Sequence, residues 1–174
     1  MKVFLDLDGV LANFGEGTYR AFGKPYDYLT SCPKWLYFED WDISFAEFDS
    51  VCGVDFFAGL RWMHDGLQIL KAVESKFDDI YLLTTPMPNS GSWTGKRLWI
   101  ERHLPQYEKR TIMTQVPKKL FAGPDTLLID DRDENIAEFV AAGGQGILVP
   151  RPWNELRGWS GETLQVIKNS LEAL

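Results

Sequence analysis

The chain has 174 residues, of which 45% are hydrophobic and 25% are charged. This length and composition predict one globular domain with a real core and room for a modest insertion. Lys and Arg number 18 against 25 Asp and Glu, giving a formal net charge of -7. No segment concentrates the basic residues, so we expect no extended nucleic acid as a partner. An anionic substrate would need a metal ion and local cations to be held.

Cysteine content and hydrophobicity exclude several further classes of protein. Cys32 and Cys52 are the only cysteines, too few for a disulfide framework and without the paired spacing of a zinc site. The chain has no uninterrupted run of about 18 apolar residues and no signal-peptide pattern. We therefore expect a protein of the reducing cytoplasm that does not associate with membranes.

The first predicted element is a short buried strand at Val3–Leu5, which stops at Asp6. Asp8-Gly9 then supplies the turn that follows the strand. Residues 15–65 break any regular pattern, because they combine two prolines, several glycines and a dense set of aromatic side chains. We interpret residues 15–65 as an insertion that covers the site, and the remainder, residues 1–14 and 66–174, as the core.

Strands and helices alternate after the insertion. We predict, in order, a helix over 66–76, a strand at Ile80–Leu83, a helix over 93–104, a strand at Thr126–Ile129, a helix over 135–142, a strand over 146–149 and a helix over 161–174. Such alternation is typical of an α/β fold with a parallel sheet flanked by helices. Open parallel sheets bind ligands at the carboxyl ends of their strands, so we expect the polar residues there to meet.

Paired acidic residues follow two of the predicted strands. Asp6 and Asp8 follow the first strand, and Asp130 and Asp131 follow the strand at Thr126–Ile129. Unpaired carboxylates at a buried sheet edge are costly unless something compensates them. Mg²⁺ prefers oxygen ligands and commonly lies between carboxylates and a phosphate, whereas the usual zinc ligands are absent. The four aspartates therefore predict a magnesium site.

A phosphate next to such a metal can be attacked by a carboxylate, and we assign this nucleophilic role to Asp6. Asp8 is placed to protonate the leaving oxygen and later to deprotonate water. The Thr84 hydroxyl and nearby backbone N–H groups can bind the phosphoryl oxygens. Lys118 or Lys119 would complete the site, and the residues alone leave that choice open.

Each of these motifs also has a purely structural interpretation. The DxDG sequence can be an ordinary strand-to-turn segment, and Thr84 can start a turn. Asp130-Asp131 can cap a helix that begins near Asp133, and the two lysines can be solvated surface. The order of the motifs along the chain and their shared location at strand ends favour a site.

Asp6-Leu7-Asp8-Gly9-Val10-Leu11-Ala12, Thr84, the Lys118 region and Asp130-Asp131 together resemble the four motifs of the haloacid dehalogenase-like phosphohydrolases. Within that superfamily the chain is most similar to the 5'(3')-deoxyribonucleotidases, through residues 8–14, 83–86 and 127–132. The resemblance implies a Rossmann-like core with a small, mainly helical cap after the first strand. It also implies Mg²⁺ and hydrolysis of nucleoside monophosphates through an aspartyl phosphate.

The resemblance also implies roles for individual residues. Asp6 matches the nucleophile, Asp8 the acid and base whose backbone carbonyl also binds the metal, and Thr84 and Thr85 the phosphate contacts. Family members show a lysine followed by one variable and two apolar residues, a pattern that Lys118 begins. The interval from this lysine to the aspartate pair is longer here than in the family, so Lys119 stays an alternative.

Phe14 matches an aromatic residue near the base pocket, and Phe56-Phe57 resembles a pair of cap aromatics over the nucleotide, where rings can stack on a base. The rest of the cap matches weakly, and caps largely set substrate choice in this superfamily. Another small phosphoester, a polynucleotide end and a non-catalytic binding module therefore remain alternatives. A homodimer through exposed aromatics of the insertion is also compatible with this composition.

Overall fold

The computed structural model describes all 174 residues and centres on a five-stranded parallel sheet. The strands are β1 (Lys2–Leu5), β2 (Ile80–Thr84), β3 (Thr111–Met113), β4 (Thr126–Asp130) and β5 (Gln145–Leu148). They lie in the order β3-β2-β1-β4-β5, so β1 occupies the middle of the sheet. The predicted α/β class with a parallel sheet is thereby confirmed.

Seven α-helices accompany the sheet. They are α1 (Phe14–Ala21), α2 (Phe45–Val51), α3 (Val54–Ala58), α4 (Gly66–Glu74), α5 (Ser90–His103), α6 (Asp133–Ala141) and α7 (Thr163–Glu172). Helix α5 begins one turn earlier than predicted, because the Asn89 side chain caps it by accepting the Ser92 backbone N–H. None of the helices combines the length and apolar character needed to cross a membrane.

Both faces of the sheet are buried, which explains why its strands are continuous apolar runs. Val3 and Leu5 of β1 belong to the larger core cluster. Phe4 points to the opposite face and packs with Phe139 of α6. The three central strands end at the same level, since Leu5 pairs with Leu82 on one side and with Ile129 on the other. The polar residues that follow them therefore share one edge.

Strand β3 was not predicted from the sequence. It has only three residues, each half-buried, and it lies at the edge of the sheet beside β2, with Ile112 opposite Leu83. So short an edge strand carries little hydrophobic pattern of its own.

The chain between β1 and α4 forms helices, turns and two isolated β-bridges, but no strand. Aromatic rings dominate its packing: Phe38 stacks on Phe48 with centroids 4.1 Å apart, and Tyr19 meets Trp41 edge-on at 4.7 Å. The segment returns to the sheet where the Met63 backbone N–H donates to the Leu11 carbonyl at 2.7 Å. Its helical character agrees with the inserted cap, whose boundaries at residues 15 and 65 stay a prediction.

Candidate active site

The loop after β1 places two aspartates at the middle of the sheet edge. Asp6 is buried, and its backbone N–H donates to the Ile129 carbonyl of β4 at 2.9 Å. Gly9 closes the loop with φ +77°, a conformation that favours glycine, and a Cβ there would collide with the Asp131 carboxylate. The glycine therefore lets the two acidic motifs pack directly against each other.

Lys118 lies between two of the aspartates. Its Nζ is 2.7 Å from Asp6 Oδ1 and 2.7 Å from Asp130 Oδ2, and its side chain is 3% exposed. Lys119 instead points to the surface, where it pairs with Glu138 at 3.3 Å and is 43% exposed. The structure thus brings Lys118 into the acidic cluster and leaves Lys119 outside it.

Asp130 makes contacts that differ from those of a helix cap. Its Oδ1 accepts the backbone N–H of Arg132 at 2.8 Å, and its Oδ2 accepts the side-chain amide of Asn135 at 3.0 Å as well as Lys118. Helix α6 takes Arg132 as its N-cap residue and has no side-chain capping bond. The interpretation of Asp130-Asp131 as the cap of this helix is therefore wrong.

Asp6, Asp130 and Asp131 form a compact set of buried carboxylates, with one oxygen of each within 4.8 Å of the others. Asp131 Oδ2 accepts the indole N–H of Trp153 at 2.7 Å. Its Oδ1 is buried and has no hydrogen-bond partner. Convergent carboxylates with an unpaired buried oxygen form the type of donor set that Mg²⁺ takes, so these residues fit the predicted metal.

Burial and the neighbouring negative charges raise the pKa values of Asp6 and Asp131. Burial raises the pKa of Asp6 to about 7, with Asp130 and Asp8 acting in the same direction against the lowering effect of Lys118. Burial, followed by the charges of Asp130 and Asp6, raises the pKa of Asp131 well above its ordinary value. Burial lowers the pKa of Lys118, but its carboxylate neighbours raise it more. When all three are ionised, the carboxylates of Asp6, Asp130 and Asp131 carry more negative charge than the single cation of Lys118 balances.

Asp8 and Thr84 are joined by a lysine that the sequence analysis did not assign to the site. Lys96 projects from α5, and its Nζ donates to Asp8 Oδ2 and, at 3.0 Å, to Thr84 Oγ1. The Phe57 ring centre lies 4.8 Å from the same Nζ. Asp8 Oδ1 is buried without a partner. The site thus contains two buried lysines.

One signal in the sequence could have identified Lys96. It lies three and four residues before Trp99 and Ile100, which are buried, and therefore on the inner face of the helix. A lysine within an apolar stripe is unusual, because lysine is rarely fully buried unless it is paired.

A second group that the sequence analysis missed lies just after β5. Arg151 is fully buried; it holds Asp65 through two contacts of 2.7 and 2.9 Å and donates to the Gly9 carbonyl at 2.5 Å. The Asn154 side chain donates to the Asp131 carbonyl at 2.8 Å. Arg151 and Asn154 thus anchor the loops that follow β1 and β4 through hydrogen bonds to their backbone carbonyls. Their partners lie far away in the chain, so sequence spacing gave no signal.

Two cavities open beside the aspartates. The larger, about 320 Å³, is lined by site residues and cap aromatics together, among them Asp6, Asp8, Thr84, Thr85, Lys118, Trp35 and Phe45. The smaller, about 170 Å³, is mostly apolar; its lining includes Phe14, Trp35, Phe48 and Trp153 and reaches Asp8 and Asp131. The polar recess and the aromatic one are therefore neighbours, since Asp8, Phe14, Trp35 and Phe45 line both.

The three predicted aromatic contacts have different positions. Phe14 lines both cavities, and Phe57 lines the larger one. Phe56 lines neither; its ring packs edge-on against Phe14 at 5.5 Å and Phe57 at 5.0 Å. Trp35 of the insertion, which was not predicted to lie at the site, lines both cavities, and its ring centre is 5.0 Å from the Arg132 guanidinium carbon.

Residues 1–158 match the model of the protein family described as 5' nucleotidase, deoxy (pyrimidine), cytosolic type C. A protein of Vibrio phage KVP40 that bears the name 5'(3')-deoxyribonucleotidase is 31% identical over 133 residues, which cover 76% of this chain and 67% of the phage protein. The human 5'(3')-deoxyribonucleotidase of cytosolic type is 26% identical over 191 positions, with 96% and 93% covered.

Solved structures agree with the fold. A haloacid dehalogenase-like family hydrolase from Streptococcus pneumoniae superposes with a TM-score of 0.55 at 14% identity, covering 90% of this chain and 88% of that one. At this identity the likeness concerns the fold, a haloacid dehalogenase-like parallel sheet flanked by helices.

Proposed function

The chain belongs to the cytosolic type C family of 5' deoxynucleotidases, and on that premise we propose that it is a Mg²⁺-dependent phosphatase of deoxynucleoside monophosphates. Family membership confirms the resemblance seen in the motifs. The observation that carries the proposal is the buried cluster of Asp6, Asp130 and Asp131 beside Lys118, next to a cavity that site residues and cap aromatics line together. Burying several carboxylates close together costs folding free energy, so the cluster supports a role in phosphate chemistry and not in stabilising the fold.

The carboxylates of Asp6, Asp130 and Asp131 and the backbone carbonyl of Asp8 would hold the metal. When bound, Mg²⁺ supplies positive charge that neutralises phosphoryl oxygens. The unpaired Oδ1 of Asp131 supports this assignment, because a buried carboxylate oxygen without a partner is rare unless it serves a ligand.

Asp6 is the nucleophile of the first step. One of its carboxylate oxygens bonds to phosphorus while the ester P–O bond breaks, and the Asp8 carboxyl group gives its proton to the leaving oxygen. In the second step a water oxygen bonds to phosphorus, Asp8 takes the water proton, and the bond between Asp6 and phosphorus breaks. Inorganic phosphate is released and both aspartates are restored.

The transferring phosphoryl group is bound by donors that are already in place. Lys118 has three N–H donors, of which two point to Asp6 and Asp130, leaving one for a phosphoryl oxygen. Thr84 and Thr85 line the same cavity and offer hydroxyl donors. Preset donors need no rearrangement as charge develops, which is the main source of catalysis in such sites.

The aromatic cavity accommodates the part of the substrate that leaves. Phe14, Trp35 and Phe48 line it next to Asp8, and flat rings of this kind stack on a nucleobase. Because this cavity has few polar side chains, we expect its ligand to be held by stacking more than by hydrogen bonds. This supports a nucleoside monophosphate, as in the named relatives, over a sugar phosphate.

Phosphate release from a panel of deoxynucleoside monophosphates, sugar phosphates and 3'- and 5'-phosphorylated oligonucleotides tests the proposal. We expect release from the deoxynucleotides with Mg²⁺, none with chelator, and a loss of at least about 10³-fold in Asp6→Asn. Asp78→Asn, at an exposed position, is the matched control. Activity retained in Asp6→Asn would contradict the covalent mechanism. Preference for sugar phosphates or oligonucleotides would overturn the substrate assignment, and no hydrolysis at all would indicate a binding module.

A further inference from the structure

Lys96 is a buried cation that the reaction described above does not use. Its side chain is 1% exposed, and it comes from α5 rather than from a strand end. Burying an ammonium group is costly, and replacing a buried ion pair by apolar residues is often neutral or favourable for stability. The stability of the fold therefore does not account for a lysine at this position.

The polar contacts of Lys96 go to two residues of the proposed site. Its Nζ donates to Asp8 Oδ2 and, at 3.0 Å, to Thr84 Oγ1. The Phe57 ring lies 4.8 Å away and stabilises the cation without competing as a strong hydrogen-bond acceptor. Lys96 thus connects the ends of β1 and β2 through the side chains that the reaction needs.

The hydrogen bonds from Lys96 restrict how the Asp8 carboxyl group and the Thr84 hydroxyl can act. Lys96 donates to Asp8 Oδ2, whereas Oδ1 is buried without a partner, so Oδ1 can take up or give a proton while the Lys96 ammonium group still donates to Oδ2. Thr84 Oγ1 accepts from Lys96, which leaves the single Thr84 O–H to donate elsewhere. Without Lys96, the carboxylate could turn and the Thr84 hydroxyl could donate to Asp8 instead of to a phosphoryl oxygen.

We propose that Lys96 is a positioning residue for proton transfer: it holds Asp8 by one oxygen so that the other exchanges protons with the substrate, and it reserves the Thr84 hydroxyl for the phosphate. The inference rests on the proposed function, because it gives Lys96 a part in that reaction. Lys96 itself forms no covalent bond and passes on no proton. The proton moves from Asp8 Oδ1 to the leaving oxygen, and later from water to the same atom.

Substrates that differ in their need for a general acid test this role. A deoxynucleoside 5'-monophosphate expels an alkoxide that must be protonated, whereas p-nitrophenyl or 4-methylumbelliferyl phosphate expels a stable phenolate. In Lys96→Met we expect kcat/KM, which reports formation of the aspartyl phosphate, to fall about 10²-fold or more for the nucleotide and less than about tenfold for the aryl esters.

The second step supplies an independent readout. Water attack needs Asp8 as a base whichever group has left, so Lys96→Met should form the aspartyl phosphate from an aryl ester faster than it hydrolyses it. We expect a rapid burst of about one phenolate per active site, followed by slow turnover. Loss of packing alone produces no such burst.

Arg97→Met is the matched control, because it removes a cation from the next position of the same helix, where the guanidinium is exposed and pairs with Glu101. It should keep wild-type kinetics. Equal losses of kcat/KM for both substrate types in Lys96→Met, without a burst, would overturn the inference. Inactivity of the wild type would contradict the proposed function instead. Thermal unfolding shows whether Lys96→Met is folded; if it is not, Lys96→Gln enters the same comparison with the same two outcomes.

Discussion

The two parts of the molecule that enclose the site are built from different chemistry. The core supplies buried charges, such as Asp6 after β1 and Lys118 in the turn before β4, which form an ion pair of 2.7 Å. The inserted segment supplies rings, such as Trp35 and Phe45, which stay partly exposed at 43% and 52%. Under the proposed function, the core acts on the phosphate ester bond and the insertion selects the group that carries the phosphate.

Removing the core cation should have the largest effect. In Lys118→Met we expect kcat to fall by about 10²- to 10³-fold at saturating Mg²⁺, because a donor for the phosphoryl oxygens is lost and Asp6 and Asp130 lose their partner. Lys119→Met is the matched control and should stay within about twofold of wild type. Steady-state phosphate release measures both. The reverse ranking would move the catalytic role to Lys119.

The metal site of the core can be tested without activity. At a Mg²⁺ concentration of tenfold Kd, binding to the native state adds about 1.4 kcal/mol, which raises Tm by about 3–6 °C in a chain of this size. In Asp131→Asn we expect a shift of less than about 1 °C. Asp125→Asn, at an exposed position, should keep the full shift. NaCl at equal ionic strength is the reference condition. If the Tm shift of Asp131→Asn equalled that of the wild type, Asp131 would not be a ligand of the metal.

A change in the insertion should alter substrate preference more than chemistry. Phe45→Ala is expected to raise KM for deoxynucleotides by about tenfold, or about 1.4 kcal/mol of lost stacking, with kcat within about twofold. Val51→Ala is the control on the same helix, since Val51 is 40% exposed and lines neither cavity. A drop in kcat as large as that expected for Lys118→Met would show that the insertion takes part in the chemical step and not only in substrate binding.

The smallest effect is expected at Phe56. Its ring packs behind Phe14 and Phe57 and lines neither cavity, so Phe56→Leu should leave KM and kcat within about twofold of wild type. Phe57→Leu, which also changes the surroundings of Lys96, should reduce kcat more. Steady-state kinetics with one deoxynucleotide distinguish the two. Equal effects of Phe56→Leu and Phe57→Leu would indicate that both rings contact the nucleotide, as the resemblance implies.

Much of the fold and the outline of the site could be predicted from the sequence. The strands that end at Asp6, Thr84 and Asp130 are continuous apolar runs, and parallel pairing necessarily brings their polar ends to one edge. The choice between Lys118 and Lys119 could not be made, because it depends on how a single 3₁₀ turn over Lys118–Phe121 presents neighbouring side chains.

Contacts between distant parts of the chain were not predictable. Lys96 belongs to a helix whose other charged residues face water, and its burial is explained by its partners, Asp8 in the loop after β1 and Thr84 on β2. Trp153 and Arg151 follow β5 in a segment without periodicity, and they act on loops more than 20 and 140 residues away, respectively. Local patterns specify elements, whereas these residues are specified by the packed structure.

The contact of Arg151 with the Gly9 carbonyl also bears on how the protein is made. The aspartates of the first loop are synthesised before β2, β4 and Arg151, yet β1 needs β2 and β4 as neighbours, and the loop is secured only by a residue 142 positions later. Such long-range closure predicts slow folding, with site formation delayed until Arg151 has been synthesised. A nascent chain that ends before Arg151 would therefore carry the acidic motif without the contacts that hold it in place.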